Sequence, residues 1–279
     1  MNNVKFFGIL FIASALADPL PNRAKLRGVS IMHEPYLQMK DGKMAGFAVD
    51  LMDKISNKAN FDYELYVTPD GSYGTPINGN ASGMVGEVMH KKADFAVADL
   101  TVTEARKRVV DFTEPFIVNH LAAIIKKSDA SNLHTLEDLV KFNEGKTSDQ
   151  QIGYGALSVG ATMNALSKTT DPIGKSMYEW IQANPKGSIR TYAKGLDRVR
   201  QGKYAMIVES SAAEFITASD CDLKTLHDNH GIYDREYAIA VQKGSPYLAK
   251  FNNAIRNLKQ DGTIKELQKT YWNSKCEQV

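Results

Sequence analysis

Apolar residues along the chain alternate between two spacings. Some stretches are apolar at consecutive or alternate positions, which predicts strands, and others every three or four positions, which predicts amphipathic helices. The first half contains, in order, "KLRGVSIMH" (strand), "AVDLMDKISNKAN" (helix), "YELYVTP" (strand), "GMVGEVMHKK" (helix) and "DFAVADL" (strand). This βαβα order is typical of a parallel sheet covered by helices.

The second half repeats this alternation after a further strand, "LAAIIKK", and a helix, "TLEDLVKF". A new series begins at "QIGYGALSVGATMNAL" and continues through "YEWIQAN", "SIRTYAKGLDRVRQG" and "YAMIVESSAAEFI". The chain ends with a strand, "YAIAVQKGS", and two helices separated by Gly262. The pattern therefore predicts an α/β protein of two lobes.

Composition narrows the function classes. The 279 residues are 43% hydrophobic and 24% charged, which is ordinary for a globular protein. The net charge is only +2 and no basic block is sustained, so nothing points to a nucleic-acid partner. Because no His or Cys cluster has metal-ligand spacing, we expect neither a metal nor a cofactor.

The N-terminus has the pattern of a cleaved secretory signal. A short polar start is followed by "FFGILFIASALA", which ends in an A-x-A site at residues 15–17. The alternative is a membrane anchor, but the run falls short of the ~20 residues that span a bilayer. We therefore expect a signal peptide at 1–17, an extracellular mature chain from about Asp18, and no membrane span.

Two further features fit an extracellular protein. Cys221 and Cys276 make one even pair, which predicts a disulfide, with two unpaired thiols as the alternative. Asn80 begins the sequon Asn80-Ala81-Ser82 in a Gly- and Asn-rich stretch, which predicts an exposed glycosylation site.

Arg106 stands where a helix disfavours a cation. Thr103 is a good N-cap, so a short helix is predicted to start there with Arg106 in its first turn. The helix dipole opposes a positive charge at this end by about 0.3–1 kcal/mol. An anion would offset that cost: either a local acid such as Glu104, or a ligand carboxylate bound by the guanidinium with the Thr101 hydroxyl beside it.

Two places in the second lobe are also candidates for ligand contacts. Ala161 and Thr162 open a helix directly after a strand, and a helix N-terminus can bind an anion. Glu209 follows a strand at its carboxyl end, where open α/β sheets bind ligands. Plain capping and a surface carboxylate are the respective alternatives.

In order and spacing, these features resemble the ligand-binding domain of ionotropic glutamate receptors. That domain is a bilobed α/β clamshell of the periplasmic-binding-protein-like type II, related to periplasmic amino-acid-binding proteins. The resemblance runs from about residue 24 to the end. It rests on the cysteine pair and on the stretches "GFAVDL" (46–51), "GSYG" (71–74), "NASGMVGEVMHKKADFAVADLTVTEARKRVVDFTEPF" (80–116), "YGALSVGATMNAL" (154–166) and "VES" (208–210).

The resemblance implies a site for the α-carboxylate and α-ammonium of an amino acid, L-glutamate in the first place. Arg106 and Thr101 would bind the carboxylate, and Tyr73 would cover the ligand. The backbone carbonyl of Asp99, the Thr101 hydroxyl and the Glu209 carboxylate would bind the ammonium.

The remaining implied contacts come from three residues. Tyr237 would orient the acidic side chain that binds the ammonium. Ala161 and Thr162 would receive the side-chain carboxylate of glutamate, with Ala161 as in the kainate-type subgroup.

The chain differs from receptor channels near Lys127. Membrane helices would enter the sequence of a channel at this point, whereas this chain has only a polar linker. We therefore predict lobe 1 at 18–120, lobe 2 at 121–236 and a return to lobe 1 at 237–279, with dimerisation through lobe 1 left open. One alternative is a truncated or processed channel subunit. Another is an enzyme using His33, Glu34 and Glu209, although no nucleophile motif supports catalysis and we expect none.

Overall fold

The computed structural model describes residues 23–158, 161–232, 234–273 and 275–276. The predicted signal peptide at 1–17 lies outside them. The strands are β1 Ala24–Ser30, β2 Gln38–Lys40, β3 Lys43–Ala45, β4 Phe61–Val67, β5 Phe95–Ala96, β6 Asp111–Phe112, β7 Ile117–Asn119, β8 Leu121–Lys126, β9 Gly153–Gly155, β10 Tyr204–Glu209, β11 Leu223–His227, β12 Arg235–Tyr237 and β13 Ala240–Val241.

The helices occupy the segments that the apolar periodicity indicated. They are α1 Phe47–Ala59, α2 Gly83–Met89, α3 Glu104–Lys107, α4 Leu136–Asn143, α5 Ala161–Leu166, α6 Pro172–Ala183, α7 Tyr192–Gln201, α8 Ser210–Ser219, α9 Leu248–Gln260 and α10 Thr263–Tyr271, with 3₁₀ turns at Lys127–Asp129 and Pro185–Gly187.

Local signals fix several helix ends. The Thr103 hydroxyl accepts a hydrogen bond from the backbone N–H of Arg106, so α3 starts where the N-cap predicted. Asn60 ends α1 in the left-handed conformation, and Gly262 adopts the same conformation (φ +80°) between α9 and α10. Gly262 therefore separates the last two helices as expected.

Two sheets define two lobes. The first has the order β4-β1-β5-β13-β6, and the second has the order β11-β8-β10-β9. The expected parallel pairing holds for β1 with β4 and β5, and for β10 with β9. Strands β8 and β13 pair antiparallel with their neighbours, so both sheets are mixed.

Each sheet is covered by apolar side chains on both faces. In the first lobe α1, α9 and α10 pack on one face and α2 packs on the other; in the second, α4 and α6 oppose α7 and α8. The chain crosses between the lobes through β7 and β12, which form a separate antiparallel ribbon. The bilobed α/β fold predicted from the sequence is thus confirmed.

Candidate functional site

The loop "GSYG" (71–74) is positioned on lobe 1 by the start of α2. The Asp70 carboxylate accepts hydrogen bonds from the backbone N–H groups of Ser72 (3.1 Å) and Gly83 (2.8 Å). Gly83 has φ +63°, and a Cβ at this position would lie 2.4 Å from the carbonyl oxygen of Ser72. Glycine at position 83 therefore lets the loop that carries Tyr73 lie directly against the helix.

The guanidinium of Arg106 links this loop to the end of the first sheet. Its Nε donates to the carbonyl of Gly74 (3.1 Å) and its Nη1 to the carbonyl of Thr101 (2.7 Å). Glu104, the local acid considered as its partner, forms a salt bridge with Lys107 (3.0 Å). Arg106 is therefore held at the cleft edge of lobe 1 by backbone acceptors.

Asp99 lies between two other side chains of lobe 1. Tyr73 donates its hydroxyl proton to the Asp99 carboxylate, 2.8 Å from each oxygen. The imidazole Nδ1 of His33 is 2.7 Å from Asp99 Oδ2 and 2.9 Å from the Tyr73 hydroxyl oxygen. The carboxylate is only 9% exposed and the imidazole 36% exposed, so the cluster lies at the floor of the cleft.

This cluster changes the protonation of its members. Partial burial lowers the pKa of His33, but the hydrogen bond and charge of Asp99, with the charges of Glu209 and Glu34, raise it on balance. Burial raises the pKa of Tyr73 well above its ordinary value, and the neighbouring Asp99 adds to that shift. His33 therefore favours its cationic form and Tyr73 its neutral form.

Lobe 2 contributes the opposite wall. Glu209 ends β10, and its Oε2 accepts a hydrogen bond from the hydroxyl of Tyr237 at the end of β12. Thr162 is half-buried in α5, which packs against β10. The structure thus brings the acid and its predicted orienting tyrosine into direct contact.

Two tyrosines that sequence reasoning did not single out complete the cleft. Tyr192, at the start of α7, lies edge-on to His33 with ring centroids 6.2 Å apart. Tyr36 packs against the rings of His33 and Tyr237, and its hydroxyl lies 3.4 Å from the Ser211 hydroxyl of lobe 2. Neither sits in a motif, and each reaches the cleft through contacts with residues far along the chain.

The eight residues predicted to bind a ligand therefore fall into two groups. Six are joined by the contacts described above: Tyr73, Asp99, Thr101, Arg106, Glu209 and Tyr237. Ala161 and Thr162 lie at the start of α5, on the lobe 2 side. Among the described residues no group of three or more His, Cys, Asp or Glu side chains is arranged to hold a metal ion.

Two predicted covalent sites lie away from the cleft. Cys221 and Cys276 form the predicted disulfide, which joins the turn between α8 and β11 in lobe 2 to the segment after α10. Asn80 is exposed, and its side-chain oxygen accepts a hydrogen bond from the N–H of Ala81. Glycosylation at Asn80 remains a prediction.

Two mixed α/β lobes, joined by a two-stranded ribbon and facing each other across a polar cleft, define a clamshell binding fold. Comparisons identify its relatives. Residues 24–129 match the family model described as "Ligated ion channel L-glutamate- and glycine-binding site". The resemblance to the ligand-binding domain of ionotropic glutamate receptors is thereby confirmed.

Curated relatives and a solved structure agree with that match. A "Probable glutamate receptor" of the frog Lithobates berlandieri is 22% identical over 88% of this chain and 73% of its own length. The mouse "Glutamate receptor ionotropic, delta-2" is 24% identical over 90% of this chain and 37% of its own length. A chain of the structure "Drosophila muscle GluRIIB complex with glutamate" superposes with a TM-score of 0.77, at 23% identity over 90% of this chain and 99% of that chain.

The frog alignment extends over 363 residues, more than the 279 of this chain, so that relative carries inserted residues absent here. Within the described part of the chain, no helix has the length and apolar character needed to cross a bilayer.

Proposed function

We propose that this chain binds a free amino acid, L-glutamate, by closing its two lobes over the ligand. The observation that carries the proposal is that Glu209 of lobe 2 acts by its charge on His33 and Tyr73 of lobe 1, the lobe that also holds the Arg106 guanidinium. The guanidinium and the Glu209 carboxylate match the opposite charges of an amino acid zwitterion. Ligand contacts with both lobes would stabilise the closed state relative to the open one.

Individual roles follow from the chemistry of each group. Arg106 and the Thr101 hydroxyl would bind the α-carboxylate, while Tyr73 covers the ligand. Glu209 and the carbonyl of Asp99 would bind the α-ammonium.

The other predicted contacts lie on lobe 2 or at its border. Tyr237 would hold Glu209 in its binding orientation through their hydrogen bond. Thr162, beside Ala161, would receive the distal carboxylate with its hydroxyl. The β7–β12 ribbon would be the hinge, and the chain would act outside the cell, as its disulfide favours.

The arrangement favours binding over catalysis. Tyr73, His33 and Asp99 contain the residue types of a nucleophile–base–acid relay, but Tyr73 and Asp99 both contact the same ring nitrogen of His33. A relay needs the two ring nitrogens of the histidine to serve different partners. The raised pKa of Tyr73 also suppresses the phenolate that would act as a nucleophile.

Calorimetric titration of the purified protein with L-glutamate, glycine and D-serine tests the proposal. Glutamate is expected to bind most tightly, because an unmet polar group at the distal subsite costs about 1–3 kcal/mol. Recovery of unchanged glutamate would exclude turnover. Tighter binding of glycine or D-serine, or no binding of any of the three, would contradict the proposal.

A further inference from the structure

The first turn of α8 in lobe 2 is held by side chains of lobe 1. This turn directly follows Glu209, which is the N-cap residue of the helix. The indole Nε1 of Trp272, directly after α10, donates a hydrogen bond of 2.7 Å to the backbone carbonyl of Ser211. Tyr36 donates to the hydroxyl of the same serine at 3.4 Å. Two side chains of lobe 1 therefore contact a residue two positions after the proposed ammonium-binding acid.

Trp272 is itself packed into lobe 1. Its ring lies edge-on to the buried rings of Tyr36 and Phe47, with centroids 5.5 Å and 5.4 Å apart. Tyr36 also lies edge-on to Tyr237 at 5.9 Å, and Tyr237 donates directly to Glu209. Trp272 and Tyr237 thus hold the same acid, one through the backbone of α8 and the other through its carboxylate.

Ser211 is also joined to the ribbon between the lobes. Its backbone N–H donates to the side-chain oxygen of Asn119, which ends β7, at 3.0 Å. Ser211 is only 7% exposed, so water replaces a lost partner there only at a cost. The start of α8 is therefore fixed relative to both the ribbon and lobe 1.

We infer that Trp272 is a positioning residue of the cleft, which holds the first turn of α8, and with it Glu209, where the acid meets a ligand bound to lobe 1. This inference rests on the proposed function. A ligand that contacts both lobes needs Glu209 at one position relative to Arg106. A contact that fixes this position beforehand reduces the free-energy cost of binding.

The coupling between this contact and the ligand works in both directions. If the hydrogen bond from Trp272 to Ser211 strengthens glutamate binding by some factor, bound glutamate strengthens that hydrogen bond by the same factor. Opening of the bond exposes the indole N–H to exchange with water, so the exchange rate reports its strength. A contact that stabilises only the fold would not respond to glutamate in this way.

The experiment compares wild type with Trp272→Phe and Trp180→Phe. Calorimetric titration with L-glutamate gives the affinity of each protein. Proton NMR gives the exchange rates of the two indole N–H groups of wild type, with and without saturating glutamate; the chain has two tryptophans, so each variant assigns the remaining signal. Trp180 is the matched control, because it lies in α6 of lobe 2 and stacks on Tyr154 with ring centroids 4.2 Å apart.

The expected results differ between the two tryptophans. Trp272→Phe keeps an aromatic ring but loses the donor, so its glutamate affinity should fall about fivefold, while Trp180→Phe should bind as wild type does. Glutamate should slow exchange of the Trp272 indole N–H about fivefold and leave exchange at Trp180 unchanged.

Unchanged affinity in Trp272→Phe would overturn the inference, and so would an equal loss in both variants. Exchange that glutamate does not slow at Trp272, or slows equally at both tryptophans, would overturn it as well. If Trp272→Phe fails to fold, the exchange rates of wild type decide. Each of these results leaves the proposed function intact, whereas failure of wild type to bind glutamate would contradict the proposed function itself.

Discussion

At the residue scale, Arg106 and Asp99 illustrate what local sequence reveals. The position of Arg106 follows from a cap three residues before it, and the structure confirms that cap. Asp99 contacts His33, 66 residues away, and Tyr73, 26 residues away, and no local spacing predicts either pairing. Candidate residues in motifs could therefore be found from the sequence, whereas the side-chain network that holds them could not.

The hydrogen bond between Tyr237 and Glu209 supports a residue-scale prediction. Tyr237→Phe keeps the buried ring but removes the donor that orients the acid. A hydrogen bond to a charged group contributes about 1.5–3 kcal/mol, so glutamate affinity should fall about ten- to a hundredfold by calorimetry.

Tyr204→Phe is the matched control. Tyr204 is equally buried and donates to the carbonyl of Gly187 within lobe 2, outside the cleft. The control should lose some stability and keep its glutamate affinity. Unchanged affinity in Tyr237→Phe would show that the tyrosine does not orient the binding acid.

At the element scale, long periodic helices were predicted well and the short strands near the cleft were not. The strand predicted across "DFAVADL" is formed only at Phe95–Ala96, and the residues after it carry Asp99 and Thr101 into the cleft. "YAIAVQKGS" likewise divides between β12 and β13, since the chain there passes from the ribbon to the first sheet. The ends of these strands depend on pairing with strands that are distant in the sequence, and a local pattern carries no information about that pairing.

The contact between α2 and the 71–74 loop leads to a second prediction. Gly83→Ala places a methyl group against the carbonyl oxygen of Ser72 in addition to straining a positive φ. We expect a loss of more than about 2 kcal/mol in the free energy of unfolding, measured with urea, together with weaker glutamate binding because Tyr73 is displaced.

Gly71→Ala separates the two causes. Gly71 has nearly the same backbone angle (φ +61°), but nothing lies within 4 Å of its added Cβ. The Gly71→Ala variant should therefore lose only the part of the free energy of unfolding that the strained backbone angle costs, about 1 kcal/mol. Equal losses in the two variants would mean that the close approach of loop and helix contributes nothing.

At the scale of the whole molecule, the disulfide adds a covalent connection between lobe 2 and the end of the chain. It closes a separation of 55 residues, which on chain-entropy grounds stabilises the protein by about 4 kcal/mol. The double variant Cys221→Ser, Cys276→Ser should lose most of this free energy of unfolding, measured with urea. The reduced wild-type protein should have the same free energy of unfolding as the double variant. An unchanged unfolding midpoint would contradict this prediction.

The account depends most on Arg106 as the carboxylate-binding group of a closing cleft. Lysine keeps the charge but loses both the planar fork and the bonds to Gly74 and Thr101. The substitution would break the buried charge pair between Arg106 and the ligand carboxylate. Breaking such a pair costs about 3–5 kcal/mol, or roughly two to four decades of affinity. Arg108→Lys is the control, since Arg108 lies two residues further on and is exposed.

The deciding measurement is the melting temperature with and without L-glutamate, at a concentration about a hundred times the wild-type Kd. Wild type and Arg108→Lys should gain stability equivalent to about 2.7 kcal/mol. Arg106→Lys should melt somewhat lower without ligand and gain almost nothing when glutamate is added. A full ligand-induced shift in Arg106→Lys would contradict the account, because the carboxylate would then be bound elsewhere.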